Sequence, residues 1–250
     1  MSTPFISIIT VTYNAAATVK PTLESIKKQT FTDYEFILMD GASTDNTLDV
    51  VNQADIKGAR ISSSPDNGLY YAMNKGLGEA TGDYVMFLNA GDSFHSENSL
   101  KEIFDAANRE DTPGVVYGQT DIVDVSRKKI ADRHLIAPEN LTLDSFREGM
   151  VVCHQAFIAL RRIAPLFNTS YRYSADFDWC VQCLQHARRV AYTGTTLIDY
   201  LSEGISTANR RRSLIERFKI MSYYYGFFPT LKRHFRFVKR FVKYQKALKQ

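Results

Sequence analysis

Between residues 5 and 92 the chain alternates short apolar runs rich in β-branched residues with amphipathic stretches, and each run ends in a polar loop. Phe5-Ile-Ser-Ile-Ile-Thr-Val-Thr12 reads as a buried strand stopped by Tyr13-Asn14. A helix over about 16–29 follows, with Val19, Leu23 and Ile26 on one face. The pattern repeats as a strand over 34–39, a helix from Thr47, a short strand over 60–62, a helix over 69–80 and a strand over 83–88. Strand and helix in strict alternation predict an α/β fold: a mostly parallel central sheet flanked by helices, with right-handed crossovers. A helix near 100–108 and a strand near 115–118 continue it. Residues 119–150 suit a loop or small hairpin, 151–161 look extended, 175–186 helical, and 190–193 begin a last strand.

The 250 residues suit one large α/β domain, which buries about three quarters of its unfolded surface without help from disulfides or a structural metal. Cys153, Cys180 and Cys183 are too few for a disulfide framework, and Cys180-Val-Gln-Cys183 is half a zinc site with no second half; all three read as core thiols. The N-terminus lacks a secretory pattern and no stretch approaches a spanning length, so a cytoplasmic location is expected, free or peripheral on the inner face of the plasma membrane. The net charge of +4 hides a division: residues 205–250 carry 13 Lys+Arg and one acid, whereas 1–204 carry 18 Lys+Arg and 26 Asp+Glu. We therefore expect a catalytic domain over 1–204, with halves about 1–95 and 96–204, and a basic helical extension over 205–250.

In an open parallel sheet, ligands sit at the carboxyl ends of the strands. Three loops fall there: Thr12-Tyr13-Asn14, Asp40 to Asn46, and Asn89 to Asp92. Tyr13 offers a ring on which a base stacks. Asp40 offers a carboxylate to a base or ribose, and Asp92 a hard oxygen of the kind Mg²⁺ or Mn²⁺ prefers. Each also has a plainer reading, since an acid after a strand is often a helix cap, as Ser43-Thr44-Asp45 is for a helix at Thr47. The absence of GxGxxG and Walker sequences removes dinucleotide and P-loop readings.

Four segments, residues 5–14, 40–47, Asp66-Asn-Gly-Leu-Tyr-Tyr-Ala-Met-Asn-Lys-Gly76 and Thr81-Gly-Asp-Tyr-Val-Met-Phe-Leu-Asn-Ala-Gly-Asp92, resemble in order and spacing the GT-A fold glycosyltransferases of family 2, over about residues 4–200. Within that family the chain resembles the branch making bacterial capsular and exopolysaccharides. The resemblance implies an inverting transfer of a sugar from a nucleotide-diphosphate donor, UDP by preference, to a hydroxyl of a saccharide or lipid-linked acceptor, helped by Mn²⁺ or Mg²⁺. It places Thr12, Tyr13, Asn14, Asp40 and Ser43 at the nucleotide, and Asp66, Asn67 and Asn74 on the sugar-phosphate side. The family's Asp-x-Asp metal motif is Asn89-Ala90-Gly91-Asp92 here, which leaves Asp92 for the metal and Asn89 for the donor.

An inverting transfer also needs a base for the acceptor hydroxyl. Ser174-Ala-Asp-Phe-Asp-Trp179 resembles the family's late acidic motif, with Asp176 as the base and Asp178 pointing elsewhere. His154 is a second candidate between apolar neighbours, for donor phosphate or acceptor. Trp179 suits either a sugar face or the core, and Arg161, Arg162 and Arg172 read as solvated charge. After Pro229, Leu231, Phe235, Val238, Phe241, Val242 and Leu248 recur at helical spacing among lysines and arginines. This stripe suits an anionic membrane surface, with Tyr223 to Phe228 at headgroup depth, better than nucleic acid. Packing on the core and a homodimer contact are the other readings. The depleted metal motif also keeps a second function class in view, a nucleotide-sugar-binding or scaffolding protein at the membrane without catalysis.

Overall fold

The computed structural model describes residues 3–108, 111–133, 135–202 and 210–235. It is one sheet of nine strands with helices on both faces. β1 (Ile6–Thr12), β2 (Tyr34–Asp40), β3 (Arg60–Ser63) and β4 (Tyr84–Phe87) form the parallel N-terminal half, in the order β3-β2-β1-β4. The second half continues from β4 through β8 (Phe157–Leu160), β6 (Val115–Val123), β9 (Val190–Leu201) and β5 (Ser93–Phe94), while β7 (Lys129–Asp132) pairs the far end of β6. β8 runs antiparallel to both β4 and β6, so the sheet changes sense at that point; β6 and β9 run parallel. The hairpin expected within 119–150 is β6–β7.

Every residue of β1 is buried, as a strand covered on both faces requires. Its alternate side chains divide the core. Ile6 and Ile8 join Leu38 and Met86 under α1 (Val19–Lys27), α2 (Thr47–Ala54) and α4 (Ser99–Ala107). Ile9 and Val11 join Met39 and Phe87 under α3 (Leu69–Glu79), α5 (Ala175–His186) and α6 (Arg210–Tyr225). The period of two in the strands thus meets apolar helix faces spaced as Val19, Leu23 and Ile26 are.

Helix α6 lies inside the basic extension but is part of this core. Ile220, Met221 and Tyr225 are buried in it, and the Glu216 carboxylate accepts from the backbone N–H groups of Arg172, Tyr173 and Ser174 at 3.0, 2.7 and 3.0 Å. These amides lead into α5, so Glu216 supplies an anion at the positive end of that helix. A further helical stretch covers 227–235. The amphipathic pattern read over 231–248 lies outside the described residues beyond 235. No described helix is long and apolar enough to cross a membrane. The three cysteines are free and buried.

Candidate active site

The loops after β1, β2 and β3 converge. Asn14 adopts a left-handed conformation, with φ of 50°, and its side-chain oxygen accepts from the Thr44 amide at 2.9 Å while its own N–H donates to Ser43 Oγ at 2.8 Å. The Asp40 carboxylate, 3% exposed, accepts from Thr12 Oγ1 (2.9 Å), Ser43 N (2.9 Å), Ser43 Oγ (2.5 Å) and Ser63 Oγ (2.7 Å). Burial alone would raise this carboxyl; the donors from Ser43, Ser63 and Thr12 outweigh it and hold it below the ordinary range. Gly41 follows because a Cβ there would stand 2.9 Å from Asp66 Oδ2 and 3.3 Å from the Tyr13 ring. Tyr13, Gly41 and Asp66 therefore meet at one point, around the Tyr13 ring, which is 67% exposed.

Other expected residues take different tasks. Asp66 Oδ1 accepts from Gly68 N at 2.8 Å and shapes the turn in which Asn67 is exposed. Both ends of the Asn74 amide are spent on the Phe167 backbone, at 2.9 and 2.7 Å. Asn74 thus ties α3 to the segment before α5 instead of presenting a group to the sugar-phosphate side. Asp45, one residue before Asn46 at the N-cap of α2, accepts from Thr47 N at 3.0 Å.

The Asn89–Asp92 loop is held from beneath. Gly91 has a φ of +102°, and a Cβ there would press on Leu201 at 3.0 Å, which explains a glycine where the family motif carries an acid. Thr22 Oγ1 donates to the Asp92 carbonyl at 2.6 Å and accepts from Gly91 N at 3.0 Å, and Arg127 donates to the Gly91 carbonyl at 2.6 Å. Asp92 is 4% exposed. Its oxygens accept from Leu201 N at 2.9 Å and Gln155 Nε2 at 2.6 Å. Burial raises its carboxyl from 3.8 to about 6, against the opposing pull of Leu201, Gln155 and His154.

From this loop a polar chain runs to the late acid. Asn89 Nδ2 lies 3.2 Å from His154 Nε2, and His154 Nδ1 lies 3.4 Å from Asp176 Oδ2. One imidazole tautomer, with the proton on Nδ1, satisfies both contacts. Tyr70 donates its hydroxyl proton to Asp176 Oδ1 at 3.2 Å. Burial would raise the Asp176 carboxyl, but the His154 contact, and Arg217 on α6, bring it below its ordinary value. Asp178, on the same helix, faces away to Tyr224 Oη at 2.7 Å and Gln182 Nε2 at 2.8 Å. Trp179 is fully buried, donates to the Pro165 carbonyl at 2.8 Å and stacks on Phe167, so of its two readings the core is the one realised. Arg161 binds the Gly82 carbonyl at 2.6 Å and is exposed.

Tyr70, Gln155, Arg127, Glu216 and Arg217 were not singled out from sequence. Tyr70 and Gln155 adjoin motifs and were legible only as neighbours; Arg127, Glu216 and Arg217 sit in segments without a motif.

A parallel half whose strand-end loops face an acid on a later helix is the architecture of the GT-A class of nucleotide-sugar transferases. Solved structures agree on the fold. The chain is similar to Staphylococcus aureus TarS residues 1–349, with a TM-score of 0.69 at 19% identity, covering 93% of this chain and 72% of that one. It is also similar to the mannosyltransferase PcManGT of Pyrobaculum calidifontis in complex with GDP-Man and Mn²⁺, with a TM-score of 0.65 at 18% identity, covering 88% and 64%. The model of glycosyl transferase family 2 matches residues 7–164, and the chain belongs to that family; it is a glycosyltransferase. A PGL/p-HBAD biosynthesis glycosyltransferase of Mycobacterium tuberculosis is 36% identical over 193 residues, covering 74% of this chain and 72% of that protein. The putative teichuronic acid biosynthesis glycosyltransferase TuaG of Bacillus subtilis is 28% identical over 153 residues, covering 60% and 59%.

The fold class implies a divalent metal, and the residues at the Asn89–Asp92 loop fit one. Asn89 Oδ1 is a buried oxygen with no hydrogen-bond partner among the described residues, in the same turn as Asp92, whose N–H donates to the Asn89 carbonyl at 3.0 Å; amide and carboxylate oxygens are what Mg²⁺ and Mn²⁺ take. A second acidic grouping, His95, Asp121 and Asp199, has ligand atoms within 4.8 Å of one another. Its atoms hold partners, His95 with Asp199 at 2.7 Å and Asp121 with Lys129 at 2.9 Å, as the Asp92 oxygens hold Leu201 and Gln155.

Proposed function

We propose that this family 2 glycosyltransferase is an inverting enzyme that carries a sugar from a nucleotide-diphosphate donor, preferably a UDP-sugar, to a hydroxyl of a saccharide or lipid-linked acceptor in cell-surface polysaccharide synthesis. The observation that carries the reading is the Asn89–His154–Asp176 chain, which joins the metal-motif loop to a carboxylate positioned by Tyr70. Tyr13 stacks on the base, and the loop framed by Asn14, Asp40 and Ser43 presents Tyr13, Gly41 and Asp66 to the nucleoside. Asp176 takes the proton of the acceptor hydroxyl as that oxygen bonds to the anomeric carbon and the bond to the diphosphate breaks on the opposite face. The lowered Asp176 carboxyl is ionised at neutral pH, ready to accept a proton. Asn89 Oδ1 and Asp92 are the groups that would hold a divalent cation. Such an ion supplies charge neutralisation on the departing diphosphate.

The names of the mycobacterial relatives and TuaG support a place in glycoconjugate or cell-wall polymer synthesis. Structures of TarS with UDP and with UDP-GlcNAc support a uridine donor, and PcManGT with GDP-Man marks guanosine as the alternative to exclude. Attachment to an anionic membrane surface accords with exposed Tyr223, Phe227, Phe228 and Phe235 beside Lys232 and Arg233.

Calorimetric titration with UDP-, GDP- and other nucleotide-sugars, with and without Mn²⁺, followed by a transfer assay on the donor that binds, tests this reading. Micromolar binding strengthened by metal, with a product of inverted anomeric configuration, is expected. Donor binding without transfer or hydrolysis under any metal would identify a binding protein instead. Retention of configuration would overturn the role given to Asp176.

A further inference from the structure

Helix α6 brings a second cation to the acceptor side that the proposed reaction has not used. Arg217 points toward α5, with its guanidinium 5.9 Å from the Phe177 ring. Its Nε is buried without a hydrogen-bond partner, and among the described residues its guanidinium forms no ion pair. It acts through space on Asp176 and Tyr70. Arg133, at the end of β7 and fixed to the Met150 carbonyl at 2.9 Å, repels it across the same space. Two permanent cations thus act on each other here, and Glu216, the acid next to Arg217, is committed to the backbone before α5. His234, also influenced by Arg217, turns its Nδ1 to the Thr230 carbonyl at 3.0 Å.

Arg217 is half-buried and feels the charge of Asp176, but its buried Nε–H has no acceptor, and an unpaired buried donor is a cost that an aromatic face at this distance does not fully offset. The arrangement is reasonable when a ligand completes it. A guanidinium with an unpaired Nε–H is matched to a planar or tetrahedral oxyanion.

We propose that Arg217, with Arg133 behind it, is an anion-binding site for a phosphate oxygen beside Asp176, brought by the donor diphosphate or by a phosphate on the acceptor. The proposal rests on Asp176 marking the transfer site. Arg217 binds and orients the phosphate, while Asp176 remains the base.

The test uses the full chain and binding readouts that need no turnover. Arg217→Met and Arg217→Lys are titrated with inorganic pyrophosphate, with UDP against uridine, and with octyl phosphate against octanol. Wild type should bind pyrophosphate, Arg217→Met at least tenfold more weakly, and Arg217→Lys in between. If UDP weakens with pyrophosphate while uridine does not, the phosphate is the donor's. If UDP is unchanged and octyl phosphate weakens, it is the acceptor's. Without anion, Arg217→Met should have a Tm equal to or above wild type, because a buried donor without an acceptor has been removed. A lower Tm with all anion affinities unchanged within twofold would show a purely structural arginine and overturn the proposal. So would failure of wild type to bind any of the three anions. If sugar transfer proceeds while the anions ignore Arg217, this proposal fails alone; if the anions depend on Arg217 but no transfer occurs, it is the catalytic reading that fails.

Discussion

Asp40 and Asp176 are both lowered carboxylates in the same site, yet they are held in opposite ways. Asp40 receives four hydrogen bonds from Thr12, Ser43 and Ser63, all at the ends of adjoining parallel strands. Asp176 is placed by Tyr70 from α3, His154 from the segment before β8, and α6 acting through Glu216 on the start of α5. The proposed nucleotide side is therefore a set of neighbouring loops that rigidify one another. The proposed acceptor side is assembled from four distant segments and leaves Arg217 Nε unpaired, while the Asn89–Asp92 loop beside it leaves Asn89 Oδ1 unpaired. A region whose polar groups satisfy each other is built before its ligand arrives. One with unpaired groups is completed by what it binds.

The comparison breaks most sharply at Asp176. Asp176→Asn keeps the shape and the Tyr70 contact but removes the base, so transfer should fall by about 10² to 10⁴-fold. Donor affinity, measured by calorimetry, should stay within twofold, since the donor loops do not use this residue. Equal losses in both would show that the two sides are not separate.

Asp92 lies between the regions and titrates against both. Its folded value of about 6 lies above the ordinary 3.8, so the native state holds this proton more tightly than the unfolded chain. Its contribution to stability is present at low pH and is lost as pH rises from about 4 to 6, by on the order of 3 kcal/mol for a shift of about two units. Asp40 and Asp176 have the reverse sign: their contribution is present above the unfolded value and is lost as pH falls. The difference between wild type and Asp92→Asn isolates the Asp92 contribution. Denaturant unfolding between pH 4 and 8 should show it shrinking up to about pH 6 and flat beyond. A flat difference throughout would mean that water reaches the carboxylate.

Glu216→Ala probes how the acceptor side is assembled. It leaves three backbone donors at the start of α5 without their anion, and a charged hydrogen bond contributes roughly 1.5–3 kcal/mol. We expect about 2 kcal/mol of lost stability, read as a lower urea midpoint, with transfer reduced about tenfold and UDP affinity unchanged. Loss of UDP binding would instead couple α6 to the nucleotide loops.

These differences also explain what the sequence disclosed. Strands β1, β2 and β4 and the loops after them were legible because the period of two and the polar stop of each run lie within a dozen residues. Helix α5 was legible to its ends, Ala175–His186, for the same local reason. The tie made by Asn74 was not legible because its motif position says nothing of the Phe167 backbone 93 residues away, which takes both ends of its amide. Glu216 and Arg217 sit in a stretch whose charge pattern reads as a basic surface. Only the packing of Ile220 and Met221 turns that helix inward and brings one acid and one base to α5. The antiparallel insertion of β8 carried no signal either, because a four-residue buried strand looks alike in both senses.

The smallest effect concerns Tyr13, where the nucleotide side leaves a ring unpaired. Its neighbours Thr12 and Asn14 are tied to the β2 loop, so removing the ring should leave the loop standing. An exposed side chain without a hydrogen bond to lose contributes little to folding, so Tyr13→Ala should change the unfolding free energy, read by urea titration, by less than about 0.5 kcal/mol. A base stacked on the ring contributes about 1–3 kcal/mol, and with one face engaged we place the loss at the lower end, about fivefold in UDP affinity. Tyr13→Phe should retain the affinity, since the stack needs the π-face and not the hydroxyl. Inorganic pyrophosphate affinity should be indifferent to both changes. If Tyr13→Ala leaves UDP binding intact, the base lies elsewhere along the β2 loop, and Gly41 and Asp66 become the residues against which to look for it.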